Sequence, residues 1–216
     1  MHINHESECK ACSTPDHGKV LAMAKRVVGK DLFGKPITRR RPRYEAALER
    51  GERKTLPLRA ARVRWLSEVI PKDRMFAMPV ETALVFEEAK ASFVYGNFVA
   101  VIVLAASFIE HWFIAGLSNR GYQKEASQGL AAAIKCASVN SLVDPVILDK
   151  ADRLRLIRNP FVHLKEFDHQ HTIGQRMAKT RTYDIQALLE SDAKEALIAM
   201  YGVAAYAFAR LAETIN

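Results

Sequence analysis

The sequence of 216 residues has few cysteines and no apolar segment near its start. Three cysteines cannot form the disulfide framework of a small secreted protein. No apolar core that could serve as a secretory signal precedes Val20. We therefore expect a cytoplasmic protein. The longest apolar run, residues 98–109, is shorter than the roughly 20 residues that cross a bilayer, so we interpret it as a buried core helix and expect no membrane association.

Internal repeats, alternating polar and apolar runs and glycine-rich phosphate loops are missing as well. Without them there is no signal for a β-sheet or for a nucleotide cradle. We expect no cofactor. Cys9 and Cys12 have the local spacing of a zinc knuckle, and histidines flank them, but a second knuckle is missing. We therefore expect a disordered tail at residues 1–18 rather than a metal site.

Positive charge is abundant and unevenly distributed. Residues 19–64 contain 15 Lys and Arg against 4 Asp and Glu, a surplus of 11, whereas the rest of the chain sums to −3. Such a surplus favours an anionic partner. Residues 33–43 combine prolines, a glycine and a charge run, which predicts an extended, solvated loop. Because such a loop can follow a phosphate backbone, its candidate RNA contacts are Arg39, Arg40, Arg41 and Arg43. The alternative is a solvated linker, since no aromatic residues interleave with the arginines.

Apolar periodicity predicts an all-α protein. We divide the chain into the tail (1–18), a basic N-terminal region with short helices (19–75) and a helical domain (76–216). The predicted helices of the basic region are 19–28, 44–52 and 58–70. Those of the domain are 79–94, 98–117, 124–137, one after residue 145, and 192–212, with an exposed basic loop at 174–182. The predicted fold is an up-and-down bundle of four or five core helices with a basic, partly helical N-terminal extension.

The segment with the clearest chemical signal is residues 152–166, DRLRLIRNPFVHLKE. An apolar stripe crosses Pro160 at helical spacing, formed by Leu154, Ile157, Phe161 and Leu164. This continuity favours one helix kinked at the proline over a break in which Asn159 caps a new helix. On such a helix Asn159 and His163 lie one turn apart, opposite the stripe. Arg158 and His163 would diverge by roughly 140° on a regular helix, so a kink or a second copy of the chain is needed for both to reach one phosphate.

Arg158 and His163 are residue types that can support metal-independent RNA cleavage. Histidine can take and return a proton near neutral pH, and arginine presents a planar, permanently charged fork to a phosphate. Together they suffice for attack of a 2′-hydroxyl on the adjacent phosphorus. The alternative is an exposed histidine and an arginine paired with Asp152 or Glu166 on a solvated face.

The order of features around this motif resembles HEPN domains over roughly residues 79–211. The Tyr95-Gly96-Asn97 break, followed by an alanine-rich apolar helix that ends at Glu110, resembles their first helical pair. The run LRLIRNPFVH at residues 154–163 resembles their R-x4-6-H motif, including the polar residue after the arginine.

This resemblance implies a helical bundle, usually a homodimer, and a ribonuclease of toxin–antitoxin, abortive-infection or CRISPR systems. Arg158 and His163 would be the catalytic pair and Asn159 an accessory. An antitoxin or regulatory protein is a further expected partner. The alternative is a non-catalytic module of the same fold that binds nucleic acid or a protein.

Two further residues complete the candidate site. Glu110 interrupts an apolar helix and, if buried, needs a partner; pairing with an arginine of the motif helix would orient the site, whereas a structural or exposed carboxylate is the alternative. Lys165 stands where HEPN toxins that are silenced by a nucleotidyltransferase carry the tyrosine that receives AMP. We therefore do not expect that modification and take Lys165 as a candidate phosphate contact. We expect His169 and His171 to be exposed, and a metal site that they form with Asp168 is a minor alternative.

Overall fold

The structure is a computed structural model that describes residues 25–40, 43–70 and 78–215. Contacts divide the chain into two compact units, Met1–Thr55 and Leu56–Asn216. Within the described residues the chain is mostly helical, with eight helices and a single β-hairpin, which confirms the all-α class. The predicted tail, with Cys9 and Cys12, lies outside these residues.

The elements follow one another in chain order. The hairpin strands are β1 (Lys25–Lys30) and β2 (Pro36–Arg40). The helices are α1 (Arg43–Val69), α2 (Val80–Tyr95), α3 (Phe98–Ser118), α4 (Gln123–Ala126), α5 (Leu130–Val139), α6 (Pro145–Val162), α7 (Ile173–Thr180) and α8 (Ile185–Ile215).

The first unit contains the hairpin, where the sequence predicted a short helix and an extended loop. The strands are antiparallel, with Lys25 opposite Arg40 and Arg26 opposite Arg39, and an irregularity follows Val27. Both strands carry β-branched residues, which favour extended backbone. The prediction of a helix at residues 19–28 is therefore wrong for residues 25–28, which are the part of that range that the structure describes.

The second correction concerns α1, which is one helix instead of two. Pro57 lies inside it, although proline removes a backbone donor and usually breaks a helix. The residues between the two predicted helices include Arg53, Lys54 and Leu56, which are good helix formers, and they continue the helix. Leu66 is buried, and the ring of Trp65 lies 5.0 Å from that of Phe93.

The core of the second unit is built around α3. This helix packs most extensively against α8 and α2, and also against α6, α5 and α4. Nine of its residues are buried, as expected for a helix that is apolar on most sides. By length and composition α3 could cross a membrane, but its apolar side chains fill the core, as predicted.

The break before α3 depends on Gly96, whose φ of +82° lies in the left-handed region that favours glycine. The Gly96 and Asn97 N–H groups donate to the carbonyls of Phe93 and Ser92, which closes the end of α2. Arg62 lies over this break: its guanidinium is 4.8 Å from the centre of the Phe98 ring and forms an ion pair with Glu190 of α8 at 3.4 Å.

Two other helical predictions need correction. The predicted helix 124–137 is two helices, because the chain turns through Gly129 at a φ of +86°. The predicted loop at 174–182 contains α7, which is capped by Thr172. Arg176 of α7 makes a bidentate ion pair with Asp192 of α8, which is 4% exposed. This buried pair fastens α7 to the core.

Candidate active site

The motif lies at the C-terminal end of α6. The helix begins with Pro145 at its first position, and the Asp144 side chain accepts the Val146 N–H at 2.7 Å. It passes through Pro160 without interruption and ends at Val162. One helix therefore carries the motif as far as Val162, and Asn159 does not cap a new one.

The apolar stripe is shorter than the sequence predicted. Leu154 and Ile157 are buried, and Phe161 packs against the core. Leu164, however, is fully exposed, because the helix has ended two residues earlier. Pro160 weakens this last turn, since it has no N–H to donate to the preceding turn.

Arg158 and Glu110 are brought together across α6 and α3. Arg158 Nη2 donates to Glu110 Oε2 at 3.4 Å, and the two side chains are only 19% and 23% exposed. The second carboxylate oxygen, Oε1, accepts the Leu130 N–H at 3.1 Å. Glu110 thus fixes the guanidinium and also satisfies a free donor at the start of α5. The ion pair that the sequence suggested for Glu110 is present.

The guanidinium of Arg158 retains hydrogen-bonding capacity. Nη1 donates to Asn159 Oδ1 at a marginal 3.5 Å, and Nε is buried without a partner among the residues that the structure describes. The alternative pairing with Asp152 or Glu166 is wrong, because Arg158 pairs with Glu110, and Asp152 accepts from Arg155 Nε at 2.7 Å. Arg158 is therefore positioned by one carboxylate, and its buried Nε has no partner among the described residues.

His163 is the residue directly after α6, and it is exposed. The backbone N–H of His163 donates to the Asn159 carbonyl at 2.9 Å, but the φ of −133° and ψ of 124° show that the backbone of His163 is extended. The 140° divergence from Arg158, which assumes a helix through residue 163, therefore does not apply. Two apolar residues that follow it in the chain, Leu164 and Phe167, are almost fully exposed.

The proposed RNA contacts are spread over several elements. Arg39 and Arg40 lie on β2, opposite Arg26 and Lys25, while Arg43 is the first residue of α1 and is exposed. Lys165 is partly exposed in the loop between α6 and α7. Arg41 lies outside the residues that the structure describes.

A basic cluster that the sequence did not predict lies beside α7. The His169 and His171 rings are 5.5 Å apart. Burial lowers the pKa of His171 from its ordinary 6.5, and the positive charges of His169, Arg176, Arg155 and Lys179 lower it further. No group of three or more His, Cys, Asp or Glu within the described ranges could hold a metal ion, so Asp168 does not complete a site with these histidines.

Comparisons with protein-family models, with curated proteins and with solved structures gave no match to this chain. The residues at the end of α6, through their chemistry and placement, therefore offer the best indication of function.

Proposed function

We propose that the chain is a HEPN-like, metal-independent endoribonuclease that acts as a homodimer. The observation that carries the proposal is the pairing of Arg158 with Glu110 in the last turns of α6, five residues before the exposed His163 that follows the helix. A guanidinium held by a carboxylate has a fixed position and keeps its positive charge, which a phosphate requires of its binding partner. An exposed histidine at a helix end is accessible to a large substrate.

In the proposed reaction the 2′-hydroxyl of RNA attacks the adjacent phosphorus. His163 takes the hydroxyl proton as the new O–P bond forms, and Arg158 stabilises the charge on the phosphoryl oxygens. The bond from phosphorus to the 5′-oxygen breaks, and that oxygen receives a proton. The products are a 2′,3′-cyclic phosphate and a 5′-hydroxyl. Asn159, beside Arg158, would act as the accessory residue.

The second copy serves two purposes in this proposal. The attacking and leaving oxygens lie roughly in line on opposite sides of phosphorus, so two imidazoles can act as base and acid at the same time. Leu164 and Phe167, which follow His163 in the chain, are exposed apolar side chains, and a second copy would remove them from water. A toxin or phage-defence role is the biological setting that the resemblance implies.

The test is cleavage of a labelled RNA by the full chain in EDTA. We expect His163→Ala to lower the cleavage rate by about 10²- to 10⁴-fold, the usual contribution of a general base. Arg158→Ala should lose a similar factor because both residues act on one transition state. The matched control is His111→Ala, another exposed histidine, which should retain full activity.

Three outcomes would refute this function: no cleavage, cleavage unchanged in His163→Ala, or products without a cyclic phosphate by mass spectrometry. The double variant Leu164→Glu, Phe167→Glu should sediment as a monomer. The same variant should have no cleavage activity. Full activity in a monomer would refute the need for a second copy.

A second candidate is a non-catalytic module of the same kind that binds nucleic acid or protein. The specific observation in its favour is that the Arg158 guanidinium already donates a hydrogen bond to Glu110. This candidate predicts salt-dependent RNA binding that is unchanged in His163→Ala and is not accompanied by cleavage.

A further inference from the structure

The tip of the hairpin is a built turn that holds two apolar side chains in solvent. Asp31 Oδ1 accepts the N–H groups of Phe33 at 2.9 Å and Lys35 at 2.8 Å, and the Asp31 N–H donates to the Lys35 carbonyl at 2.8 Å. Gly34 supplies the left-handed residue at a φ of +78°. Leu32 is fully exposed and Phe33 is 87% exposed. Local hydrogen bonds therefore fix the backbone of the turn that carries this exposed aromatic ring.

The ribbon carries positive charge at both of its ends. Residues 25–40 contain six Lys and Arg and one acidic residue, a formal charge of +5. The exposed Lys30 and Lys35 flank the tip. The other four basic residues form two opposed pairs at the far end of the ribbon, namely Lys25 with Arg40 and Arg26 with Arg39. At about 3.3 Å per residue, the two groups are separated by roughly 15 Å.

We propose that this hairpin binds single-stranded RNA, with Phe33 stacked on an unpaired base and the lysines and arginines on the flanking phosphates. Aromatic side chains combined with a basic surface are the usual means of binding single strands, because every base has a face that can stack. Unpaired RNA bases are accessible for such stacking, whereas paired bases are not. The choice of RNA rests on the proposed function; the choice of a polyanion rests on the hairpin itself.

An anionic membrane is the other partner with matching chemistry. It is disfavoured because a membrane-inserting tip needs its positive charges at the level of the head groups. Here four of the six basic residues lie, by strand register, at the end of the ribbon farthest from the tip, roughly 15 Å from the level that head groups would occupy.

The test uses the full chain carrying His163→Ala, so that cleavage does not consume the probe. The binding of a fluorescein-labelled 12-nucleotide single-stranded RNA is followed by anisotropy. We expect Phe33→Ala to weaken binding by about 5- to 100-fold, as for the loss of one stacked base. Phe33→Trp should retain the affinity because it keeps a stacking surface. Leu32→Ala is the matched control at the same turn and should leave the affinity unchanged.

Salt dependence tests the phosphate contacts separately. Lys30→Gln with Lys35→Gln should reduce the slope of log affinity against log salt by about 1.4, since each contact to a single strand contributes about 0.7. Circular dichroism and the melting temperature should be unchanged in every variant, because the substituted side chains are exposed.

The outcomes are distinguishable from those of the cleavage test. If RNA affinity is the same in Phe33→Ala and Leu32→Ala, the hairpin does not stack on a base and this inference is wrong, whatever the cleavage results. If Phe33→Ala instead abolishes binding to phosphatidylserine vesicles and leaves RNA affinity intact, the tip is a membrane contact. If cleavage fails but Phe33-dependent RNA binding persists, the hairpin inference stands and the ribonuclease proposal does not.

Discussion

The pair formed by Glu110 and Arg158 can be tested by a double-mutant cycle. Glu110→Ala removes two interactions at once: the 3.4 Å contact with Arg158 and the hydrogen bond from the Leu130 N–H. Arg158→Ala removes only the first, because the carboxylate keeps the Leu130 donor. Glu110→Ala should therefore be the more destabilising single change.

The magnitudes follow from burial and geometry. Removing one partner of a fully buried pair costs about 3–5 kcal/mol, and at 19% and 23% exposure we expect about 2 kcal/mol for Arg158→Ala. Loss of the contact at the start of α5 adds about 1 kcal/mol, so Glu110→Ala should cost about 3 kcal/mol. The coupling energy between the two residues should be about 1–2 kcal/mol.

The assay is urea unfolding followed by circular dichroism for the wild type, both single variants and the double variant. The matched control is the pair Arg153 and Glu195, which also joins α6 to another helix but is 66% and 45% exposed, with a contact of 3.0 Å. Its coupling should be below about 0.5 kcal/mol. Equal coupling energies in the two cycles would refute the claim that burial makes the Glu110–Arg158 pair strong.

Three further changes test other parts of the second unit. Gly96→Ala should lower Tm by about 3–6 °C, because the left-handed backbone costs about 1–2 kcal/mol and the new Cβ would lie 2.9 Å from Arg62 Nη1; an unchanged Tm would contradict this. Tyr201→Phe should stabilise the chain by about 1 kcal/mol in urea unfolding, since the buried Tyr201 hydroxyl has no partner among the described residues. His171→Gln should reduce the loss of stability between pH 7.5 and 5.5. The folded-state pKa of His171 lies below 6.5, so the unfolded chain binds the proton more readily than the folded chain. The free energy of unfolding therefore decreases as the pH is lowered through this range. Equal losses in both proteins would contradict the last prediction.

Local signals in the sequence were sufficient for the centre of the bundle. Gly96 predicted the end of α2, because the residue after a helix is often left-handed and glycine adopts that conformation readily. The apolar run that begins at Phe98 predicted a buried helix. Both depend on chain geometry and hydrophobicity over a few turns. The pairing of Glu110 followed from its position as a lone carboxylate in an apolar helix.

Other features depend on contacts between distant residues or on weak signals. The local charge and Gly174 favoured a loop at the position where α7 forms. The ion pair of Arg176 with Asp192, which fastens α7 to α8, cannot be deduced from neighbouring residues. The hairpin strands are short and carry no alternating pattern. The usable signal was Asp31 and Gly34, at the first and fourth positions of a turn between pairs of β-branched residues. Leu164 was assigned to the apolar stripe because the sequence does not fix how far a helix continues after Pro160.

The burial of α3 has a consequence for how the protein is made. The helix has a mean hydropathy of 2.1 in its most apolar window, and the helix that covers it most extensively, α8, ends at Ile215. A ribosome adding about 5–20 residues per second would need roughly 5–20 s to reach that point after completing α3. During that interval α2 can already pack on α3, but the face that α8 will cover stays exposed on a segment with the length and apolarity of a bilayer-spanning helix. Holdase chaperones and the membrane-targeting machinery would compete for this segment until α8 has been synthesised and packs against α3.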